Sequence, residues 1–571
     1  MTARNDSTML PPVSTPDQAY RHRKLTQSYW PADTTRPLRD WTLGQLLSDT
    51  AARVPDRIAL VAGHRDPAMR RQWTYAELNH ACDRVARALL AHFEPGERVA
   101  MWANNVPEWQ LLMYGVARAG LILVTVNPAY KLRELEASLR QAEVTGLFTM
   151  DSYRGHDCLS AAEQAAAALP AVRKVFRLAE FDAFLADGDS GRSLPPVHPE
   201  QACLMMFTSG TTGAQKGIVL HHKGLVNMSH LAHERGGLKD GGVLVNAMPM
   251  FHLGAMNSGG IGTVAHAATH VLAEEWESVL FMSLVQDFGG TYSLLVPTMV
   301  EALLNHPDRA QYNLATLRTL AAGAAKVEAS TVRRARSEMG CDIAILFGQT
   351  EMHGVISAVH PDDRLEDKTD SLGQPMPQIE MKVADPVTGE VLPIGTVGEI
   401  CIRGYQAMHG YYNQPEETAK AIRQDGWVHS GDLGTMDERG FLKISGRLKE
   451  MIIRGGENIF PAEIETLLRD QPGVGAVAVL GVPDSYWGEQ VGAVIIPSAC
   501  ADRPDPDALW QLCRAELAAH KAPSLWYFAD SFPTTETGKV QKFRLREKIV
   551  ANELQAVPLQ RSGKKTNDAG T

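Results

Sequence analysis

The chain of 571 residues has no uninterrupted apolar run of the roughly 18–20 residues that a membrane-spanning helix needs. The nearest approach, Trp109 to Val126, is broken by Arg118 and Gly120 and reads as a helix followed by a strand. The first thirty residues are polar and proline-rich and have no apolar centre, so no secretory signal is expected in them. Cysteine is scarce. The seven present (Cys82, Cys158, Cys203, Cys341, Cys401, Cys500 and Cys513) are odd in number, and no two stand at metal-finger spacing. That argues against a disulfide framework and predicts free thiols in a reducing, cytoplasmic setting. Basic charge is not in excess: 56 Lys and Arg face 66 Asp and Glu, a net charge of −10. A chain of this balance is not built as a general binder of nucleic acid or anionic membranes. No Ser-His-Asp or Cys-His arrangement is evident, and no short-period repeat.

What the sequence does have is ordinary globular material, 44% apolar and 21% charged, at a length that calls for two or three domains. Residues 1–38 read as an arm over the surface, with folded structure from about Trp41. Thr74-Tyr75-Ala76-Glu77 has the spacing of a capping box, with Trp73 and Leu78 placed for a hydrophobic staple. Leu78, Ala81, Cys82, Val85, Ala88 and Leu89 then mark one face of a helix. A buried strand at 98–102, a helix near 107–118 and a strand at 121–126 form a βαβ unit and predict a parallel sheet. Further strands are expected at 243–248, 267–273, 292–296 and 342–347. The fold class is therefore α/β. Glycine and proline become frequent at about 386–446, which predicts a small β-rich part within a large N-terminal domain of residues 39–446. After Gly446-Arg447-Leu448-Lys449-Glu450 a compact α+β module follows over 450–556, with a helix starting at Pro461, and then a polar tail, 557–571, expected to be disordered.

The sharpest signal is Thr208-Ser209-Gly210-Thr211-Thr212-Gly213-Ala214-Gln215-Lys216-Gly217. Its glycines let backbone N–H groups turn toward an anion, its hydroxyls add donors and Lys216 adds charge, which suits the phosphates of a nucleotide. It is not a Walker A loop, because Lys216 is followed by Gly217 rather than Ser or Thr. Taken singly, other residues have plain readings: Glu351 as a solvated acid, Asp432 and Lys539 as turn residues, His252 as core.

Taken together and in order, this loop, Phe347-Gly348-Gln349-Thr350-Glu351, Ser430-Gly431-Asp432, Gly446-Arg447 and Thr537-Gly538-Lys539 resemble the motifs of the adenylate-forming superfamily. That group holds acyl-CoA synthetases, adenylation domains of peptide synthetases and beetle luciferases. The resemblance runs from about residue 40 to 550. It implies that the 208–217 loop holds the pyrophosphate end of ATP and that Glu351 helps bind Mg²⁺. It gives Thr350 the α-phosphate, lines the adenine and acyl pocket with Ala322-Gly323-Ala324, and lets Asp432 grip the ribose hydroxyls with Arg447 beside it. Lys539 resembles the lysine that stands between the carboxylate and the α-phosphate, where it offsets the repulsion of two anions. The nucleophile is already ionised at neutral pH, so no general base is required.

By the same resemblance the C-terminal module turns about a hinge at Lys449, within residues 447–449. The turn withdraws Lys539 and brings in the loop with Gly455 and Gly456, past which the pantetheine arm of coenzyme A would run. The implied acyl pocket uses His252, Gly254 to Gly262, Val296 to Met299 and Ala322 to Ala324, with Asn257 and Ser258 as polar members and the glycines leaving volume for a chain or ring. His252 stands where amino-acid-activating relatives carry an Asp, which argues against an amino-acid substrate. The expectation is an acyl-CoA synthetase for a medium- to long-chain fatty acid, with ATP and CoA as co-substrates. An aromatic or alicyclic acid, or a carrier protein as acceptor, are the alternatives. The oligomeric state is open, a homodimer included.

Overall fold

Apolar stretches bounded by glycine and proline fold here into two large mixed sheets. The computed structural model describes residues 22–189, 192–208, 215–323, 327–360, 363–455, 457–498, 503–534 and 540–560. One sheet has seven strands, in the order Gly410–Tyr411, Lys216–His221, Ala202–Thr208, Ile122–Val126, Arg98–Trp102, Gly146–Thr149 and Lys174–Arg177. The last four run parallel to one another and to Ala202–Thr208, as the βαβ spacing predicts. The other sheet has nine strands, in which Ile58–Gly63, Thr269–Ala273, Val243–Asn246, Tyr292–Leu295, Thr319–Ala322 and Asp342–Gln349 are parallel neighbours. Helices cover both sheets, and the buried Leu, Val and Phe side chains between them form the main core.

The helix Tyr75–His92 begins with the expected capping box: Thr74 Oγ1 accepts from the Glu77 N–H at 3.2 Å and Glu77 Oε2 accepts from the Thr74 N–H at 2.8 Å. The β-rich region is a five-stranded antiparallel sheet in the order Tyr29–Trp30, Ile379–Ala384, Gly398–Gly404, Val428–Met436 and Leu442–Arg447. Its first strand differs from the expected surface arm. Tyr29–Trp30 pairs with Ile379–Ala384, and the Trp30 ring is fully buried against Gly440, where any side chain would collide with it. One tryptophan anchors a segment whose composition is otherwise that of a loop.

Residues 452–559 pack their own cores around the hairpin Val474–Asp484 and Gly488–Pro497, with Leu525–Phe528 added in parallel. The end of this module extends past residue 556. Val557 bridges to Trp526, Leu559 packs on the core and the Gln560 N–H donates to Asp507 Oδ2 at 2.8 Å. No helix among the described residues is long and apolar enough to cross a membrane.

Candidate active site

Ligand sites in open α/β sheets form outside the carboxyl ends of parallel strands. Three of the implied segments sit at such ends. Ala202–Thr208 leads into the glycine-threonine loop, Thr319–Ala322 into Gly323, and Asp342–Gln349 into a 3₁₀ turn at Thr350–Met352. Thr208 stands opposite Lys216, so the loop is closed at its base by an antiparallel pair. Ser209, Gly210, Thr211, Thr212, Gly213, Ala324, Gly456 and Lys539 lie outside the described residues, as does the side chain of Thr208.

Two glycines in the site are fixed by crowding. A Cβ on Gly323 would sit 2.6 Å from the Leu346 carbonyl oxygen, and one on Gly348 would collide with the Gly354 carbonyl. Both therefore keep neighbouring backbones in contact where the strand leaves the sheet. Gln349 Nε2 is buried and has no hydrogen-bond partner among the described residues.

Glu351 reaches across to the seven-stranded sheet. Its Oε1 accepts from the Tyr411 hydroxyl at 3.0 Å, and its carbonyl accepts from the Met408 N–H at 2.8 Å. Lys216 lies over the Tyr411 ring, 4.7 Å from its centre, and donates to Glu417 Oε2 at 2.6 Å. Lys216 and then Lys420 hold the Glu417 carboxyl down to about 2. Tyr411 is raised by burial and then by the charge of Glu351. Sequence reasoning missed Tyr411 and Glu417, which lie far along the chain in a segment without periodicity.

The five-stranded sheet supplies the next pair. Asp432 stands opposite Arg447 on adjacent strands, and Arg447 Nε is 3.1 Å from Asp432 Oδ1. Asp432 is buried, while half of the Arg447 side chain remains open to solvent. Lys449 connects the two halves. Burial, and then the Arg447 guanidinium, hold its ammonium below its ordinary value, while Glu450, Asp432 and Glu351 pull the other way. The residue expected as a hinge thus stands within the electrostatic reach of both carboxylates.

Behind Glu351 the backbone is pinned by paired histidines. His353, at φ 54°, accepts from the His221 N–H through Nε2 at 3.0 Å and donates through Nδ1 to the Gln406 carbonyl at 2.9 Å. His221 repeats the pattern, accepting from the Gly224 N–H at 3.1 Å and donating to the Ala407 carbonyl at 3.2 Å. Each ring uses one nitrogen as acceptor and one as donor, which requires the neutral form.

The implied acyl pocket begins at His252, the N-cap of a single turn that continues as a π-helix over Met256–Gly262. Such helices are rare and recur at functional sites. Asn257 Nδ2 donates to the His353 carbonyl at 2.8 Å, while its buried Oδ1 has no partner among the described residues. Val296 follows the strand Tyr292–Leu295, and Leu295 pairs with Ala322, so Val296 and Gly323 are neighbours; Met299 packs onto the core behind them. The glycines differ from the expectation of open volume. A Cβ on Gly259 or Gly262 would collide with His270 or His233, and one on Gly260 would sit 2.9 Å from Met113 Cε. Large partner side chains fill that space, so these glycines serve packing.

At the start of the C-terminal module, Gly455 has φ +58° after Ile452–Arg454, and Arg454 pairs with Glu457 across the turn. A Cβ there would lie 2.8 Å from the Trp487 ring. Gly455 is therefore needed by the turn itself.

The chain matches the AMP-binding enzyme family over residues 47–412 and the AMP-binding enzyme C-terminal domain over 463–539. It is 34% identical over 538 residues to YngI of Bacillus subtilis (strain 168), covering 89% of this chain and 97% of that protein. It is 32% identical over 556 residues to the human mitochondrial medium-chain acyl-CoA ligase ACSF2, covering 91% of this chain and 90% of that one. Its fold superposes on ATP-bound MatB from Rhodopseudomonas palustris with a TM-score of 0.78, at 28% identity over 89% of this chain and 99% of that one. Strand-end loops, the Asp432–Arg447 pair on its own sheet and a separate C-terminal module thus come together in one chain, which belongs to the adenylate-forming, AMP-binding enzymes as an ATP-dependent, AMP-forming acid–CoA ligase.

Proposed function

We propose that this protein activates a medium- to long-chain fatty acid as its acyl-adenylate and transfers the acyl group to coenzyme A. The observation that carries the reading is the convergence of Glu351, the Asp432–Arg447 pair and Lys449 where the large sheets meet the five-stranded one. In the first half-reaction the carboxylate attacks the α-phosphorus and the bond to pyrophosphate breaks. In the second the thiol attacks the acyl carbonyl and AMP leaves, the thiol proton passing to solvent.

Each residue has a task in this scheme. The 208–217 loop and Lys216 take the outer phosphates; Lys216 leaves Glu417 to do so. Asp432 accepts from the ribose hydroxyls, and Thr350 donates to the α-phosphate. Lys539, carried in by the C-terminal module, offsets charge between acid and phosphate. The carboxylate of Glu351, one oxygen of which takes the Tyr411 hydroxyl, is a hard oxygen ligand of the kind that Mg²⁺ prefers and would hold that ion. That ion would neutralise charge on the departing pyrophosphate. We assign the residues up to 446, with the strand Tyr29–Trp30, to the large domain, 447–449 to the hinge and the residues from 450 through Gln560 to the mobile domain; the separate cores of residues 452–559 support this division. The fatty-acid reading draws support from ACSF2, named as a medium-chain acyl-CoA ligase. A cytoplasmic location is proposed with it, from the free buried thiols.

The test is release of AMP and pyrophosphate from ATP and Mg²⁺ with straight-chain acids of increasing length and with aromatic acids, with and without CoA. AMP and an acyl-CoA from the fatty acids are expected. ADP as product, or turnover confined to aromatic acids, would sink the reading.

A further inference from the structure

Asp432 is delivered by an irregularity in the five-stranded sheet. Across the strands Gly398–Gly404 and Val428–Met436, Glu399 faces Leu433 while Cys401 faces His429. Ile400 alone therefore stands against Ser430, Gly431 and Asp432, which bulge from the ladder. Gly431 adopts φ +69° with open space around a would-be Cβ, so the bend and not crowding calls for glycine.

A bulge of this size needs its freed backbone groups satisfied. One buried carboxylate takes the group at the centre of the bulge. Glu399, 4% exposed, accepts from the Gly431 N–H through Oε1 at 3.0 Å and pairs with His429 Nδ1 through Oε2 at 2.7 Å. Cys401 Sγ lies 3.6 Å from the same Nδ1, and Ser430 Oγ accepts from the Asp432 N–H at 3.0 Å. Among the described residues Glu399, Cys401 and His429 form the one cluster of three metal-ligand types, with donor atoms within 4.8 Å of one another. Their donor atoms face each other and the Gly431 N–H.

Burying a carboxylate is costly unless its hydrogen bonds are made, and regular pairing of these strands would need none. Both oxygens of Glu399 bind the residues that lead into Asp432, and neither binds Asp432 itself. We propose that Glu399 is a positioning residue for nucleotide recognition: by clamping Gly431 and His429 it sets where the Asp432 carboxylate stands, and so the enzyme's preference for an intact ribose. The inference rests on the reading that Asp432 receives the sugar hydroxyls.

The experiment compares Asp432→Ala, Glu399→Ala, Glu399→Gln and the Asp432→Ala/Glu399→Ala double variant in the full-length enzyme. The readouts are KM and kcat with ATP and with 2′-deoxyATP, KM for acid and CoA, and the unfolding midpoint. Asp432→Ala should abolish the preference for ATP over 2′-deoxyATP. Glu399→Ala should lower that preference by about tenfold, the scale of one charge-assisted hydrogen bond, with KM for acid and CoA unchanged. Glu399→Gln keeps an acceptor for the Gly431 N–H and should restore much of the preference. The double variant should match Asp432→Ala in both nucleotides. If Asp432→Ala removes the preference and both Glu399 variants keep it, the clamp is refuted and the sugar reading stands. A uniform loss of activity toward both nucleotides with a lowered midpoint would also refute the clamp, leaving Glu399 a plain structural residue; should Glu399→Ala fail to fold, Glu399→Asp, whose shorter side chain withdraws the acceptor from the Gly431 N–H, takes its place, and a preference it leaves unchanged refutes the clamp. If Asp432→Ala itself preserves the preference, the sugar reading fails first.

Discussion

Five histidines in one stretch of the large domain make acidification the most informative perturbation. Burial holds His222, His230 and His270 down at about 3 and His221 and His233 at about 4. An unfolded histidine titrates near 6.5, so between these values only the unfolded chain takes up the proton, and stability falls as pH falls. The contribution is complete above about pH 6.5 and is lost progressively toward the folded values. Going from about pH 7 to about pH 5.5 should remove about 1.3 kcal/mol per histidine, or about 6 kcal/mol for five. That is a large share of the roughly 5–15 kcal/mol that holds a domain together. Urea unfolding followed by tryptophan fluorescence at both pH values, at matched ionic strength, measures it. Calorimetry in buffers of different ionisation heat counts the protons taken up on unfolding. Replacing His270, which shares a 2.6 Å hydrogen bond with Gln110, by Gln should remove about one-sixth of the pH dependence, because burial holds His353 well down too. A midpoint that is flat or rises between the two pH values would refute the reasoning.

Lys539→Ala should abolish pyrophosphate release yet leave CoA transfer from supplied acyl-AMP largely intact; equal loss of both half-reactions, measured separately, would contradict the exchange of loops. Gly455→Ala, at φ +58° and against Trp487, should cost the C-terminal module about 1–2 kcal/mol, seen as an earlier unfolding transition of that module. Trp30→Ala should destabilise the five-stranded sheet by about 3–5 kcal/mol, and a change of less than about 1 kcal/mol in denaturant unfolding would return residues 22–38 to the status of a surface arm.

Local pattern made much of this fold readable. The capping box at Thr74 and Glu77 and the parallel strands around 98–126 appear where periodicity and turn residues put them. What was hidden depends on a single long-range contact. Trp30 looks like any residue of a polar segment until Gly440 makes room for it. The glycines of the π-helix suggest empty space, but whether a missing Cβ leaves a void depends on what packs there, and here it is His233, His270 and Met113. In the candidate site, the motif residues could be proposed from the sequence because the chemistry demands several of them close together. Tyr411, Glu417 and Glu399 were not, because each meets its partner from far away in sequence: Tyr411 at Glu351, Glu417 at Lys216, and Glu399 at Gly431 and His429.

The bond from Asn257 to the carbonyl of His353 joins the π-helix Met256–Gly262, which we propose borders the acid, to the turn bearing Glu351. Efforts to retune which acid is accepted by resculpting that helix will therefore alter nucleotide handling too. Val296 and Met299, the members of the proposed acyl pocket outside that helix, then offer a cleaner route to new selectivity.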